Sequence, residues 1–342
     1  MISRVSPRIN VRLPTGYVAL PALVNAHDHL SLNHYPRTRP RPVYASAHEW
    51  GADVNALLDS APYRELRAYP LWDRLFIGGL KNLLCGALTV MHHDPPHREL
   101  WRRAFPVRVI RRYGWAHSFG FSSADEIARA YRRTPRGADF FIHLAEGTDE
   151  RAALEYAQLH ALGAVARNSV LIHGVGLTQN DIAQAAPKVR ALVCCVTTNR
   201  YLLGNDPPID DWQQAGGTLW IGSDSRLTAD GDLLDEIAAL SIAGDSAVEA
   251  IRRVQRHTMM PGGSPDDWIA LRADAVMPIT RADIALIVRA GRPLIGDPDL
   301  IHPYTRRPHV GALLDGRPKE IDAGLARLIR ACGLQESGLT VE

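Results

Sequence analysis

The chain of 342 residues carries 39 Lys and Arg against 37 Asp and Glu, a formal net charge of +2, with 46% hydrophobic and 22% charged residues. Near-balanced charge argues against a dedicated nucleic-acid or membrane-surface binder, and no stretch reaches the length of an apolar membrane span. The length suits one large domain, or a barrel with a small appendage, better than several small ones. Arginine is locally dense at Arg102–Arg103, Arg108–Arg112 and Arg306–Arg307, short runs that read as solvated faces of ordinary elements. Cys85, Cys194, Cys195 and Cys332 lack zinc-ribbon spacing, and an adjacent pair makes a poor disulfide framework. Reduced thiols, and the lack of a signal-peptide apolar run at Met1-Ile2-Ser3-Arg4, point to a cytoplasmic protein.

In chain order, short apolar β-rich runs alternate with helical patterns, the signature of a parallel α/β fold. Val18–Ala26 reads as the first strand. Leu71–Leu84 has the apolar spacing of an amphipathic helix and leads to a strand at Leu88–His92. Val107–Ile110 follows, and Trp115-Ala116-His117-Ser118, within Tyr113–Phe121, supplies a short strand. Ser123–Arg133 reads as a helix opened by a capping box of Ser123 and Glu126. A strand at Asp139–Leu144, a helix at Asp149–Leu162, a strand at Val170–His173 and a helix at Gln179–Ala186 continue the alternation. Strands at Ala191–Thr197 and Thr218–Ser223 complete it, and the order predicts a TIM-type (β/α)8 barrel over residues 20–260. After Pro261 the texture turns to Gly, Pro and Asp, then to Ile284–Val288 and a Gly291-Arg292-Pro293 turn. Residues 1–19 and 261–342 are therefore expected to form a small β appendage with a terminal helix at Glu320–Ala331.

Barrel chemistry belongs at the C-terminal ends of the strands, where the loops converge on one mouth. His27 and His29 end the first strand one residue apart, and alternate side chains of extended backbone share a face, so both imidazoles can reach one ion. Phe140-Phe141-Ile142-His143 delivers a third histidine, with Glu146 three residues on. Val170-Leu171-Ile172-His173-Gly174 delivers a fourth, and Trp220-Ile221-Gly222-Ser223-Asp224 closes the last strand with a carboxylate. One histidine at a strand end is more often a satisfied structural residue. Five metal-capable residues and Glu146, in strand order, reverse that reading.

These segments resemble the amidohydrolase superfamily, in the branch containing cytosine deaminase, guanine deaminase and the triazine chlorohydrolases. Asn25-Ala26-His27-Asp28-His29 matches the first-strand motif and His143-Leu144-Ala145-Glu146 the fifth. Ile172-His173-Gly174 matches the sixth, Gly222-Ser223-Asp224-Ser225 the eighth, and Thr198-Asn199 resembles the polar pair after the seventh. The resemblance implies that His27, His29, His143 and Asp224 bind one divalent metal ion, Zn2+ or Fe2+. It implies that Glu146 shuttles protons, and that His173 polarises the attacked carbon's substituent or orients the hydroxide. Three neutral imidazoles and a carboxylate hold such an ion while leaving a position for water, whose pKa falls towards about 7. Glu146 can then serve first as base and afterwards as acid. The implied activity is cleavage of a C–N bond by metal-bound hydroxide, foremost deamination of a heterocyclic or amidine-like small molecule. Hydrolysis of a cyclic amide, or displacement of another leaving group, would use the same hydroxide. A catalytically silent barrel serving as a binding protein is the reading from another class, and the complete set of Glu146, His173 and Asp224 argues against it.

Departures from the family pattern are informative. No lysine ends a predicted strand, since Lys81 falls in a helix and Lys188 in a loop, so a bridging carbamylated lysine of the two-metal branches is not expected. Leu20-Pro21-Ala22-Leu23 stands where the family has Pro-Gly. Arg281 to Ile287 resembles the returning strand of the family's β-sandwich, so the appendage is expected to be reduced rather than absent. His92, His93, His117, Asn199 and His34 are candidate substrate contacts. His48, His97, His160, His257, His302 and His309 read as structural or surface residues. A small-molecule substrate is the expected partner, with neither nucleic acid nor membrane, and the resemblance allows a homo-oligomer without specifying one.

Overall fold

The computed structural model describes residues 3–6, 9–11 and 13–342; Met1, Ile2 and part of the leading segment assigned to the appendage lie outside the described residues. Eight strands run in parallel pairings: β1 Leu23–Asp28, β2 Ala87–His92, β3 Arg108–Val109, β4 Gly114–Trp115, β5 Phe140–Leu144, β6 Ser169–His173, β7 Ala191–Cys194 and β8 Leu219–Ile221. They form a three-stranded sheet ordered β1-β2-β3 and a five-stranded sheet ordered β8-β7-β6-β5-β4. The sheets meet where Asp224 N, just beyond β8, donates to His27 O in β1 at 3.0 Å. That approach requires Gly222, because a Cβ there would lie 2.6 Å from the His27 Cβ. The strand expected within Tyr113–Phe121 is β4.

Parallel sheets covered by helices bury both faces of their strands, and these do. Phe141, Val170, Ile172, Val193 and Trp220 of the larger sheet join Val24, Ala26 and Met91 of the smaller one in a single apolar cluster between them. Phe140, Ile142, Leu144, Leu171 and Leu192 turn the other way, against Tyr156 and Leu159 of helix Glu150–Ala161 and Ile182 of helix Gln179–Ala185. This two-residue period sets which strand-end side chains can reach the space between the sheets.

Helix Leu71–Leu84 has its expected bounds, and Leu75 through Leu84 are all buried. It lies hard against the turn after β1, where a Cβ on Gly78 would meet Leu30 O at 2.2 Å. The contact sets Lys81 and Asn82 beneath β1. Lys81 Nζ is 2.9 Å from Asp28 Oδ2, both side chains fully buried, and donates to Ser223 Oγ and Asp224 O at 3.0 Å each. Asn82 Nδ2 donates to Asp28 Oδ2 at 2.6 Å, and Asn33 Nδ2 to Asp28 Oδ1 at 2.8 Å. Removing one partner of a buried, hydrogen-bonded pair strands the other charge, at a cost of about 3–5 kcal/mol. Lys81→Ala is expected to lose that much in urea unfolding; a loss below about 1 kcal/mol would show that the network is dispensable.

Three expected elements differ in extent, each for a tertiary reason. Val18–Ala26 is two strands, Tyr17–Pro21 and β1, because the chain changes sheets there: Pro21 has no amide hydrogen, and Ala22 N donates to Asp267 O. Ala191–Thr197 stops at Cys194, and residues Val196–Leu203 form a helix despite a β-branched start. Buried Glu236 accepts from Val196 N at 2.6 Å and Thr197 N at 3.2 Å, satisfying amides that a helix start leaves free. The terminal helix begins at Ala323 rather than Glu320, because Arg317–Asp322 pairs as a strand and Asp322 caps the helix through Gly324 N and Leu325 N. The returning strand is Ile284–Arg289, one of seven in an antiparallel sheet that runs from Tyr17–Pro21 through Trp268–Arg272 to Leu339–Val341.

Candidate active site

The strand ends bring four expected residues into one buried cluster. His27 Nε2 and His29 Nε2 each lie 3.2 Å from His143 Nε2. Asp224 Oδ1 stands 3.8 Å from His27 Nε2 and 3.9 Å from His29 Nε2. One tautomer is assigned by a hydrogen bond. His143 Nδ1 donates to His117 O at 2.9 Å, leaving a lone pair on Nε2. His29 Nδ1 is 3.1 Å from Asp94 Oδ1, an ion-pair contact that favours a proton on Nδ1 and turns Nε2 towards the cluster. The three Nε2 atoms therefore face one another around the His143 lone pair. Nitrogens bound at about 2.0–2.1 Å in a tetrahedral zinc site are about 3.3 Å apart, so donor type and spacing fit a divalent metal.

A second grouping overlaps the first. Ligand atoms of His27, His29 and Asp224 fall within 4.8 Å of one another, as do those of His27, His93 and His143. His93 Nε2 donates to Ala116 O at 2.9 Å, its ring stacks on His143 at 4.3 Å, and its buried Nδ1 has no partner.

Electrostatics divide these groups. Burial first, then crowding by neighbouring imidazoles, holds His27, His93 and His143 well below the ordinary histidine range. Burial likewise lowers His117 and His173 to about 4. Burial also opposes charge on His29, but Asp94, with Asp224 and Asp28 farther off, raises it to about 9. Glu146 is pushed well above the usual carboxylate range by burial and then by the charge of Asp224.

Backbone strain marks the same strand ends. Ala145, His173 and Asp224 adopt φ of 53°, 74° and 53°, the left-handed region that costs a non-glycine residue about 1–3 kcal/mol. Each is locked from outside: Ala145 N donates to Glu155 Oε2 at 2.7 Å, Gly174 N to Leu144 O, and Asp224 N to His27 O. The consequence is clearest at His173. It pairs in register with outward-facing Leu144, so regular alternation would turn it away from the cluster. Instead its ring lies 5.3 Å from that of His143, and its Nε2 is 3.5 Å from Glu146 Oε1. Asn199 Nδ2 donates to His173 Nδ1 at 3.2 Å, which puts the His173 proton on Nε2, facing Glu146.

A cavity of about 100 Å³ opens over the cluster, lined by His29, His143, Glu146, His173 and Asp224 with apolar Trp50, Phe121 and Leu202. Of the candidate substrate contacts, His117 lines it. Asn199 stands behind His173, and His93 behind His143. His92 is buried below, its Nδ1 accepting from Leu30 N at 3.3 Å, and His34 turns away to donate to Leu66 O at 3.1 Å. Neither of those two lines the cavity. Conversely, His48, read from sequence as structural or surface, does line it, with Nε2 2.7 Å from Glu155 Oε1. Sequence reasoning also passed over Asp94 and Glu155. Asp94 ends the β2 run as a carboxylate, the signal that identified Asp224, whereas Glu155 lies on a helix with no motif around it.

No protein-family model matches the chain, and no curated protein does. Solved structures do match in three dimensions. A mutant of atrazine chlorohydrolase TrzN from Arthrobacter aurescens TC1, complexed with zinc and atraton, aligns with a TM-score of 0.62 at 16% identity, covering 82% of this chain and 84% of that one. An adenosine deaminase from Xanthomonas campestris with bound zinc aligns with a TM-score of 0.56 at 14% identity, covering 81% and 80%. This chain shares their α/β fold with parallel sheets.

Proposed function

We propose that the chain is a mononuclear metal-dependent hydrolase that cleaves a C–N bond, foremost by deaminating a small heterocycle or amidine-like molecule. The observation that carries this reading is the convergence of three histidine Nε2 atoms at 3.2 Å contacts, with Glu146 and His173 paired alongside. The zinc in the aligned chlorohydrolase and deaminase structures supports it. On this reading residues 20–260 close into a (β/α)8 barrel, and residues 1–19 and 261–342 form the appendage. The contact between Asp224 N and His27 O, which joins the two sheets on one side, supports that reading.

His27, His29, His143 and Asp224 would hold the ion. When bound, a divalent cation supplies Lewis acidity and brings the pKa of water down to about 7. Glu146 takes a proton from the attacking water at its carboxylate and returns it to the departing nitrogen. Its raised proton affinity suits it to carry that proton between the two events. His173, neutral and with its hydrogen on Nε2, donates to the substituent of the attacked carbon as negative charge develops there. Trp50, Phe121 and Leu202 supply apolar walls for a small ring. The test is metal analysis of the purified protein together with a screen for ammonia release from nucleobases and pterins. One equivalent of zinc or iron and ammonia from a member of the panel are expected. Protein devoid of metal affinity and inert on the panel would overturn the proposal.

Asp94 extends the reading outward. A carboxylate on the far nitrogen of a metal-binding histidine fixes its tautomer and raises its basicity, and losing one typically costs 10- to 100-fold in metal affinity. Asp94→Asn is expected to weaken zinc binding by about that factor in chelator competition. Unchanged affinity would mean that the 3.1 Å contact to His29 does not orient the ring.

A further inference from the structure

Arginines of two of the dense stretches, Arg102–Arg103 and Arg108–Arg112, which the active site leaves unused, converge elsewhere with Arg289, Arg292 and Arg327. A cleft of about 720 Å³ is walled on one side by the segment around β3 and on the other by Arg289 to Leu294 and helix Ala323–Ala331. It shares no lining residue with the cavity over the histidine cluster. Seven arginines line it, Arg102, Arg103, Arg108, Arg111, Arg289, Arg292 and Arg327, against two carboxylates, Asp267 and Asp322. Both carboxylates are partly committed to backbone. Asp267 accepts from Ala290 N at 2.7 Å, and Asp322 from Gly324 N and Leu325 N at 3.0 and 3.1 Å. Their ion pairs with Arg108 and Arg292 are correspondingly long, at 3.4 and 3.3 Å.

Arg103, Arg111, Arg289 and Arg327 have no carboxylate within ion-pair distance among the described residues. Arg289 is the telling one. It is half-buried, and its guanidinium donates to Phe105 O at 2.6 Å. Burial depresses its proton affinity, with Asp267 opposing and Arg108 and Arg292 adding repulsion. Two further donors of the cleft residues, Trp101 Nε1 and Arg292 Nε on the two facing walls, are buried without a partner. The region is rich in donors and short of acceptors. Guanidinium forks meet oxyanions through paired hydrogen bonds, and the volume falls in the range of small-molecule sites.

We propose that this cleft binds a multiply charged small oxyanion, phosphate-bearing or polycarboxylate, clamped between the β3 segment and the appendage. Fructose 1,6-bisphosphate and tricarballylate, titrated calorimetrically into the purified protein at low salt, represent the two sources. Saturable binding at millimolar affinity or tighter is expected for at least one, weakening as salt is raised. Binding of the bisphosphate alone assigns a phosphate ligand, binding of tricarballylate alone a polycarboxylate, and binding of both the general site. Arg289→Gln is expected to weaken binding about tenfold, the effect of losing one charge-assisted hydrogen bond. Arg103→Gln and Arg327→Gln change exposed side chains, so they test the same cleft should Arg289→Gln fail to fold. The proposal is overturned if neither probe binds, or if binding survives at wild-type affinity in every folded variant.

Discussion

Glu146→Gln is expected to retain its metal and near-normal substrate affinity while turnover falls by about a hundred- to ten-thousand-fold. Attack on the substrate carbon creates a tetrahedral centre from which nitrogen leaves poorly unless protonated. One group must therefore accept a proton and then release it at the same place. Glu146 is three residues beyond His143, at the end of the strained turn through Ala145, and it lines the cavity without approaching the histidines as a fourth ligand. Gln keeps its shape and hydrogen bonds but cannot carry the proton. The measurement is steady-state turnover beside metal content, across neutral pH. Wild-type turnover would transfer the proton to another group, and His173 at 3.5 Å is nearest by geometry.

His27→Ala and Asp224→Ala are each expected to abolish stoichiometric metal binding, and with it all turnover. The two residues come from β1 and from just beyond β8, the first and last parallel strands, and meet across the seam between the sheets. On the proposed reading each supplies one of four ligands, so its loss leaves too few to hold the ion against solvent. His173→Asn serves as the contrasting variant: it should keep the metal and lose most activity, because His173 donates towards Glu146 rather than joining the donor set. Elemental analysis after dialysis reads all three. Full occupancy in His27→Ala or Asp224→Ala would refute the ligand assignment, and metal loss in His173→Asn would make that residue a ligand.

The sequence by itself determined the alternation of strands and helices and which polar residues close the strands. Both signals are local: a two-residue or 3.6-residue apolar period, and a rare polar residue closing an apolar run. Hence His27, His29, His143, Glu146, His173 and Asp224 were legible without coordinates, as were helix Leu71–Leu84 and the capping box at Ser123. Tertiary structure decided whatever depends on partners distant in the chain. Residues 196–203 coil into a helix because Glu236 reaches back to cap them, which a run of Val and Thr does not foretell. Lys81, ordinary in a helical pattern, becomes a buried counter-charge under β1 because Gly78 lets its helix approach Leu30. His173 reaches the site only through a left-handed backbone that neighbouring strands enforce, against its own register. The arginines of residues 102–111 read as solvated faces of ordinary elements, and only the packing of residues 289–328 against the β3 segment gathers them with Arg289, Arg292 and Arg327 around one cleft. Periodicity reports which face a residue occupies; which distant residue waits on that face is set by packing, and no local pattern encodes it.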